Sequence, residues 1–376
     1  MTEYAVPFVC NVHIAVHSLE ARRCADGTIS AVDNPWFARY KSLCVGPNTR
    51  RLPVATPSQS LPMYFPPAPW SLDDAVICSA LVNAAYGMYQ QWVAQDSPPD
   101  PSEFSWTKPT GPIVPKGPTL NYLGPMWGVA NMIDRQYPEP FAFIAWDGQG
   151  KTYVAFRGSE TPADFWEDAA IKQVSYDPIV PGFGLVHDGF HDVYTSSRSR
   201  NGSVPALRST IQGALENLSY TPTMLYVAGH SLGAGLSTLC VPDVARNSTI
   251  GKRGIPMFHY SLASPRVGDP TFAYNYNFQI PVVTFRIANT EDLVPDGPPA
   301  VSEWYYEHVG TPVGFTTQYD STGGNHDHLN CYFYALTHPD QPQGPVVFRE
   351  PVELASTARE RMAAARCHYE RLKARR

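Results

Sequence analysis

The stretch that most constrains the fold joins an apolar segment to a helix-like one through a serine flanked by glycines. Residues 224–228 are apolar and partly β-branched, which predicts a buried strand. The small apolar residues 234–241 predict the first turns of a packed helix. Between them, Gly229 and Gly233 flank Ser231 at the spacing that allows a sharp backbone turn and exposes the serine hydroxyl. The alternative is a tight strand-to-helix turn in which Ser231 is merely structural.

Composition places the chain among globular proteins. The 376 residues carry a formal net charge of -6 and are 43% hydrophobic, which argues against nucleic acid as a general partner. The seven cysteines are odd in number and widely spaced, so neither a zinc site nor a full disulfide framework is predicted. This cysteine usage fits a reducing compartment.

The first residues do not have the pattern of a secretory signal. A signal needs positive charge before an unbroken apolar core, whereas here Glu3 comes first and Pro7 interrupts the apolar residues. No apolar run approaches the roughly 18 residues of a transmembrane segment. We therefore expect a cytoplasmic protein without a transmembrane segment, with export by a route that the sequence does not reveal as the alternative.

Strand patterns alternate with helix patterns along most of the chain. Ser71 and Asp74 have the spacing of a capping box, and apolar residues then recur at helical spacing as far as Trp92. Residues 98–140 are rich in proline and are predicted to form a covering loop. Further expected elements are strands at 141–146, 152–156, 257–263, 282–288 and 304–314, and a helix at 205–218. The alternation predicts an α/β fold with a mainly parallel central sheet covered by helices on both faces.

Three regions are predicted: an N-terminal extension packed on the main domain (1–70), the main domain (71–350) and a basic amphipathic C-terminal helix (351–376). Apolar residues from Leu354 to Leu372 share one side of this last helix, and seven arginine or lysine residues make it basic. One interpretation is a solvated helix packed on the main domain. The other is electrostatic attachment to a surface of anionic lipid.

Four motifs follow one another in a characteristic order: Phe156-Arg157-Gly158-Ser159, Val186-His187-Asp188-Gly189-Phe190, Gly229-His230-Ser231-Leu232-Gly233 and Ser264-Pro265-Arg266-Val267-Gly268-Asp269. Together they resemble the motifs of the fungal-type (class three) lipases, which are α/β-hydrolases. The resemblance spans residues 71–340. It implies a triacylglycerol lipase or esterase that acts on lipid esters through an acyl-enzyme without a cofactor. The alternatives are a phospholipase A-type or general carboxylesterase, and a non-catalytic lipid-binding or scaffold protein on this fold.

A catalytic serine needs a histidine base, and that histidine needs a carboxylate to orient it. In α/β-hydrolases the chain order is serine, then Asp or Glu, then histidine. Asp292 follows the strand predicted at 282–288 and matches the acid of the family. Glu291 and Asp296 are the rival acids, and a loop-capping role is the structural alternative for Asp292.

Two histidines compete for the role of base. His326 and His328 both follow Asp292, and the family's Asp-His-Leu pattern favours His328, although the aromatic residue that usually follows is displaced to Tyr332. His-Asp-His is also a pattern typical of a metal site, as are His187 and His191. No further cluster of ligands accompanies either pair, so no metal site is predicted.

The oxyanion that forms during ester cleavage needs preorganised hydrogen-bond donors. The residue after the nucleophile, Leu232, supplies one backbone N–H, and the family resemblance points to Ser159 for the second; the alternative for Ser159 is a plain turn residue. Residues 161–164 have the pattern of a helix start, and Phe165 and Trp166 follow on one side. By likeness to the family this segment is a lid over the acyl site, with a fixed surface helix as the alternative. The expected partner is a lipid or ester substrate, met through peripheral contact with a lipid surface.

Overall fold

The computed structural model describes residues 63, 69–129, 138–159, 172–199, 202–298, 304–319 and 321–344. All of them belong to one compact unit. The C-terminal helix at 351–376 and the lid residues Phe165 and Trp166 lie outside the described residues, as does nearly all of the extension at 1–70. These three features therefore stay predictions.

Within the described ranges, seven strands form the central sheet, and their order across the sheet is their order along the chain. Their bounds are β1 Asn121–Val129, β2 Pro138–Trp146, β3 Lys151–Phe156, β8 Met224–His230, β9 Met257–Leu262, β10 Val282–Asn289 and β11 Thr311–Phe315. In this sheet β1 pairs with β2 and β2 with β3 in antiparallel orientation. The pairs β3–β8, β8–β9, β9–β10 and β10–β11 are parallel. Two short antiparallel pairs lie outside this sheet: β4 Gln173–Ser175 with β5 Leu185–His187, and β6 Arg198–Ser199 with β7 Gly202–Ser203. The predicted mainly parallel sheet is confirmed.

Helices connect the strands. They are α1 Leu72–Ala94, α2 Asp188–Thr195, α3 Leu207–Glu216, α4 Leu232–Asn247, α5 Thr249–Lys252, α6 Pro270–Gln279, α7 Thr322–Asn325 and α8 Tyr334–Thr337, with 3-10 turns at Pro101–Glu103 and Val294–Asp296 and a π-helix at His328–Phe333. Within the described ranges, none of the helices has the length and apolar character needed to cross a membrane.

The sheet separates two apolar cores, which explains why its strands are apolar on both faces. One core joins Leu225 and Val227 of β8 to α3 and α4. The other joins Tyr226 and Ala228, the alternate residues of the same strand, to the buried side of α1. The prediction of helices on both faces is confirmed, and α1 is thereby held directly under the strand that leads to Ser231.

Local signals for the starts and turns of elements were reliable. The hydroxyl of Ser71 accepts a hydrogen bond from the Asp74 N–H at 3.1 Å and begins α1 as expected. At the turn between β2 and β3, Asp147 Oδ1 accepts hydrogen bonds from the N–H groups of Gln149 at 2.7 Å and Lys151 at 3.0 Å. Both features depend on side chains that bond to backbone a few residues away, so they can be predicted from neighbouring residues in the sequence.

The prediction of a loop throughout residues 98–140 is wrong, because β1 lies within it. Among the described strands it pairs with β2 alone, so it forms an edge of the described sheet, where proline is tolerated because one side of the strand makes no ladder hydrogen bonds. Its register shifts between Leu123 and Met126, around Pro125. The last strand, expected at 304–314, is shorter and lies at Thr311–Phe315 on the opposite edge.

Candidate active site

Ser231 stands at the sharp turn between β8, which ends at His230, and α4, which begins at Leu232. Its backbone has φ 58 and ψ -125, a strained combination for a residue with a side chain. A Cβ atom at Gly229 would collide with the backbone of Gly233, so the turn can close only around glycine. The strand, turn and helix predicted from the sequence are confirmed. At the end of a parallel strand they have the geometry of a nucleophile elbow, and this turn is called the elbow below.

A buried carboxylate and a buried histidine meet beside this turn. Asp292 follows β10, and its Oδ2 lies 2.7 Å from Nδ1 of His326. The same oxygen accepts a hydrogen bond from the hydroxyl of Tyr332 at 2.6 Å, while Oδ1 accepts from the N–H of Val294 at 3.0 Å. Asp292 and His326 are 2% and 3% exposed. With three partners in a dry environment, the carboxylate fixes the orientation of the imidazole.

His328, predicted as the base, makes a different contact. Its Nε2 lies 3.2 Å from the hydroxyl oxygen of Ser79 on α1. His326 caps the end of α7, whereas His328 begins a π-helix after the extended residue Asp327, so the two histidines belong to different elements. The predicted pair Asp292 and His328 is therefore corrected to Asp292 and His326.

The rival acids do not reach this pair. Asp296 is exposed, and Glu291 Oε2 instead accepts a hydrogen bond from Nε2 of Gln318 at 3.3 Å. Because Asp292 alone of the three bonds to a histidine in the described part of the chain, its predicted position in the site is supported.

The second nitrogen of His326 is available for chemistry. Its Nε2 is buried and has no hydrogen-bond partner among the described residues. The ring centroid lies 4.7 Å from that of His230, which directly precedes Ser231. In a neutral imidazole held through Nδ1–H by a carboxylate, Nε2 carries the lone pair that accepts a proton from a serine.

The turn after β3 lies directly against the elbow. A Cβ atom at Gly158 would collide with the hydroxyl of Tyr86 and would lie 2.6 Å from the His230 carbonyl oxygen and 2.9 Å from Ser231 Cβ. Ser159, the next residue, is half-buried. Leu232 opens α4, so its N–H belongs to the first helical turn, where backbone donors lack an intrahelical acceptor. Both predicted oxyanion donors therefore adjoin this turn in the sequence. Ser159 follows Gly158, which lies against Ser231, and Leu232 follows Ser231 directly.

Arg157 holds this turn in place. Its guanidinium is 3% exposed and bonds to Glu139 Oε2 at 2.6 Å, to the carbonyl oxygen of Pro140 at 2.9 Å and to that of Gly158 at 2.8 Å. The guanidinium carbon also lies 3.8 Å from the ring centroid of Tyr89 on α1. A buried ion pair whose donors are occupied fixes geometry more than it stabilises the fold. Arg157 therefore anchors the predicted oxyanion turn.

In the second histidine pair, His187 has a structural role. His187 caps α2, because its Nδ1 accepts from the Gly189 N–H at 3.1 Å. Burial lowers the pKa of His187 to about 4, so the ring stays neutral at pH 7. In the described ranges, no group of three or more His, Cys, Asp or Glu side chains is suited to hold a metal ion.

Three residues of the site were not assigned roles from the sequence: Ser79, Tyr86 and Tyr332. Tyr332 was noted only as a displaced aromatic residue, although its hydroxyl bonds to Asp292. Ser79 and Tyr86 are polar residues seven positions apart within the apolar pattern of α1. Seven residues are two helical turns, so this spacing was a readable signal for a polar contact on one face.

Replacing Ser159 with alanine is expected to lower kcat about 10²-fold if its hydroxyl donates to the oxyanion, which is the usual loss for one such donor. Steady-state kinetics on a soluble ester measure this, with KM as the internal control. A small effect on kcat would leave only the backbone N–H in this role. A large rise in KM at constant kcat would make Ser159 a residue that binds substrate.

Comparisons with known proteins agree with these observations. Residues 153–302 match the family model described as lipase (class 3). The chain is 32% identical over 170 residues to a lipase of Rhizomucor miehei, covering 45% of this chain and 43% of that one. It is 31% identical over 213 residues to phospholipase A1-II 3 of Oryza sativa subsp. japonica, covering 50% and 49%.

Among solved structures, the native propeptide complex of the Rhizomucor miehei lipase is 25% identical, with a TM-score of 0.44 and coverage of 65% of this chain and 69% of that one. The alignments with the lipase and the phospholipase cover 43% and 49% of those relatives, so the chain spans about half their length.

Proposed function

We propose that the chain is a member of the class 3 lipase family, whose model matches residues 153–302, and that it hydrolyses carboxylic esters of lipids. Ser231 is the nucleophile, His326 the base and Asp292 the orienting acid. The observation that carries this proposal is the buried contact of 2.7 Å between Asp292 and His326 next to the elbow.

The proposed reaction passes through an acyl-enzyme. Ser231 Oγ attacks the ester carbonyl carbon while His326 Nε2 takes the hydroxyl proton. Leu232 N–H and Ser159 stabilise the resulting oxyanion, and the imidazolium returns its proton to the oxygen of the departing alcohol. Water then attacks the acyl carbonyl with His326 again as base, which releases the carboxylic acid and restores Ser231. Asp292 stabilises the imidazolium that forms in both halves, and no cofactor takes part.

For the substrate we propose an acylglycerol, reached through peripheral contact with a lipid surface. The similarity to a lipase of Rhizomucor miehei supports this choice. A second candidate is hydrolysis of a phospholipid acyl ester, because the rice phospholipase A1 is similar to nearly the same degree. A non-catalytic lipid-binding role is disfavoured, because such a role does not require His326 with an unoccupied Nε2 held against Asp292 beside Ser231.

We expect a fluorophosphonate probe to label the protein and acylglycerols to be hydrolysed at least about tenfold faster than phospholipids, a difference of 1.4 kcal/mol in transition-state free energy. The measurement is fatty-acid release from a panel of acylglycerols and phospholipids with matched acyl chains. Faster release from phospholipids would favour the second candidate. Absence of both labelling and hydrolysis would leave the non-catalytic alternative.

A further inference from the structure

Three buried histidines lie together at the elbow, and only one of them bonds to Asp292. The ring centroid of His230 lies 4.7 Å from that of His326 and 5.0 Å from that of His328. All three rings are at most 6% exposed. His230 and His328 therefore flank the proposed base closely, and the mechanism above gives neither of them a task.

Helix α1 supplies a hydroxyl to each of the flanking histidines. Tyr86 Oη lies 2.9 Å from His230 Nδ1, and Ser79 Oγ lies 3.2 Å from His328 Nε2. The ring of Tyr86 also packs against both imidazoles, at centroid distances of 5.9 Å from His230 and 5.7 Å from His328. One face of α1 thus holds both rings from below the elbow.

The flanking rings are electrically neutral. Burial, followed by the neighbouring His326 and His328, holds the pKa of His230 well below its usual value. Burial and then His326 lower the pKa of His328 to about 3. A positive charge on either ring would oppose the imidazolium that forms at His326 during catalysis, whereas a neutral ring packs against it without repulsion.

Tyr86 is placed to act on two parts of the site at once. Its hydroxyl bonds to His230 and also lies against the Gly158 position, where an added Cβ atom would collide with it. Gly158 belongs to the proposed oxyanion turn, and His230 packs on the proposed base. A shift of this hydroxyl would therefore disturb the alignment of base and oxyanion turn relative to Ser231.

From this geometry we propose that Tyr86 and His230 are a positioning pair for the reaction. The hydroxyl of Tyr86 holds the His230 ring through Nδ1, and that ring in turn supports the face of His326. Neither residue touches the reacting atoms. The inference rests on the proposed function, because it assigns a task within the hydrolysis by Ser231, His326 and Asp292.

The test compares Tyr86→Phe with Tyr226→Phe. Tyr226 also bonds to α1, through its hydroxyl to Asp74 Oδ2 at 3.0 Å, but it lies four residues before His230 on β8, about 13 Å away along the strand. Tyr86→Phe is expected to lower kcat about fivefold to tenfold, the size of one hydrogen bond, with KM changed by less than about twofold. The rate of fluorophosphonate labelling should fall by the same factor, since it depends on the same base. Tyr226→Phe should leave kcat and the labelling rate unchanged, while its melting temperature should fall about as much as that of Tyr86→Phe.

Replacement of His230 supplies an independent check. His230→Asn can still offer a polar atom near the position of Nδ1, whereas His230→Leu cannot. We therefore expect kcat of His230→Asn to lie several-fold above that of His230→Leu.

Several results would overturn the inference. They are an unchanged kcat in Tyr86→Phe, equal losses in the Tyr86 and Tyr226 variants, a rise in KM alone, or equal rates for the two His230 variants. Failure of the proposed function is distinguishable, because either the wild-type protein would then show no hydrolysis or Ser231→Ala would retain it, whatever the Tyr86 variant does.

Discussion

Replacing Ser231 with alanine is expected to lower kcat by about 10⁴-fold or more, because no acyl-enzyme can form without the hydroxyl. The fold should be retained. Alanine keeps the Cβ atom, so the strain of φ 58 at this position is unchanged, and the buried turn loses one oxygen atom.

Ester turnover and fluorophosphonate labelling measure this prediction, and circular dichroism with a thermal melt checks the fold. Both activities should disappear together while the melting temperature changes little. An alanine variant that still hydrolyses esters at the wild-type rate would contradict the assignment of Ser231 as nucleophile.

His326→Ala is expected to lower kcat by several orders of magnitude, on the order of 10⁴-fold, because the base is then lost. His328→Ala is expected to lower it by about tenfold or less, since His328 bonds to Ser79 and not to Asp292. The reason for the difference is the contact of 2.7 Å between Asp292 and His326.

The two histidine variants are matched controls for one another. Both rings are buried and lie two positions apart, so each substitution removes the same atoms from similar surroundings. Melting temperatures and kcat are measured for both variants on one soluble ester. The opposite ranking of kcat, at comparable stability, would transfer the base to His328 as the family pattern suggested.

The match between sequence and structure depends on how local each feature is. The elbow around Ser231 was predictable, because the apolar strand, the two glycines and the helix start are consecutive residues. Strand β1 was not, because Pro125 argues against a strand unless the strand is known to lie at an edge. Edge position is a property of the whole sheet.

The sequence by itself determined most strands of the sheet, helix α1, the elbow and the set of residues from which a triad could be drawn. Tertiary structure alone decided which histidine contacts Asp292. This contact joins residues 34 positions apart, in the segments that follow the parallel strands β10 and β11. His326 and His328 have the same side chain, so composition and spacing could not separate them. Tertiary structure alone also decided the proposed task of Tyr86, because that task depends on its contact with His230, 144 positions away along the chain. Such contacts depend on how α1 and the loops pack around the sheet, and packing is settled by the whole chain together.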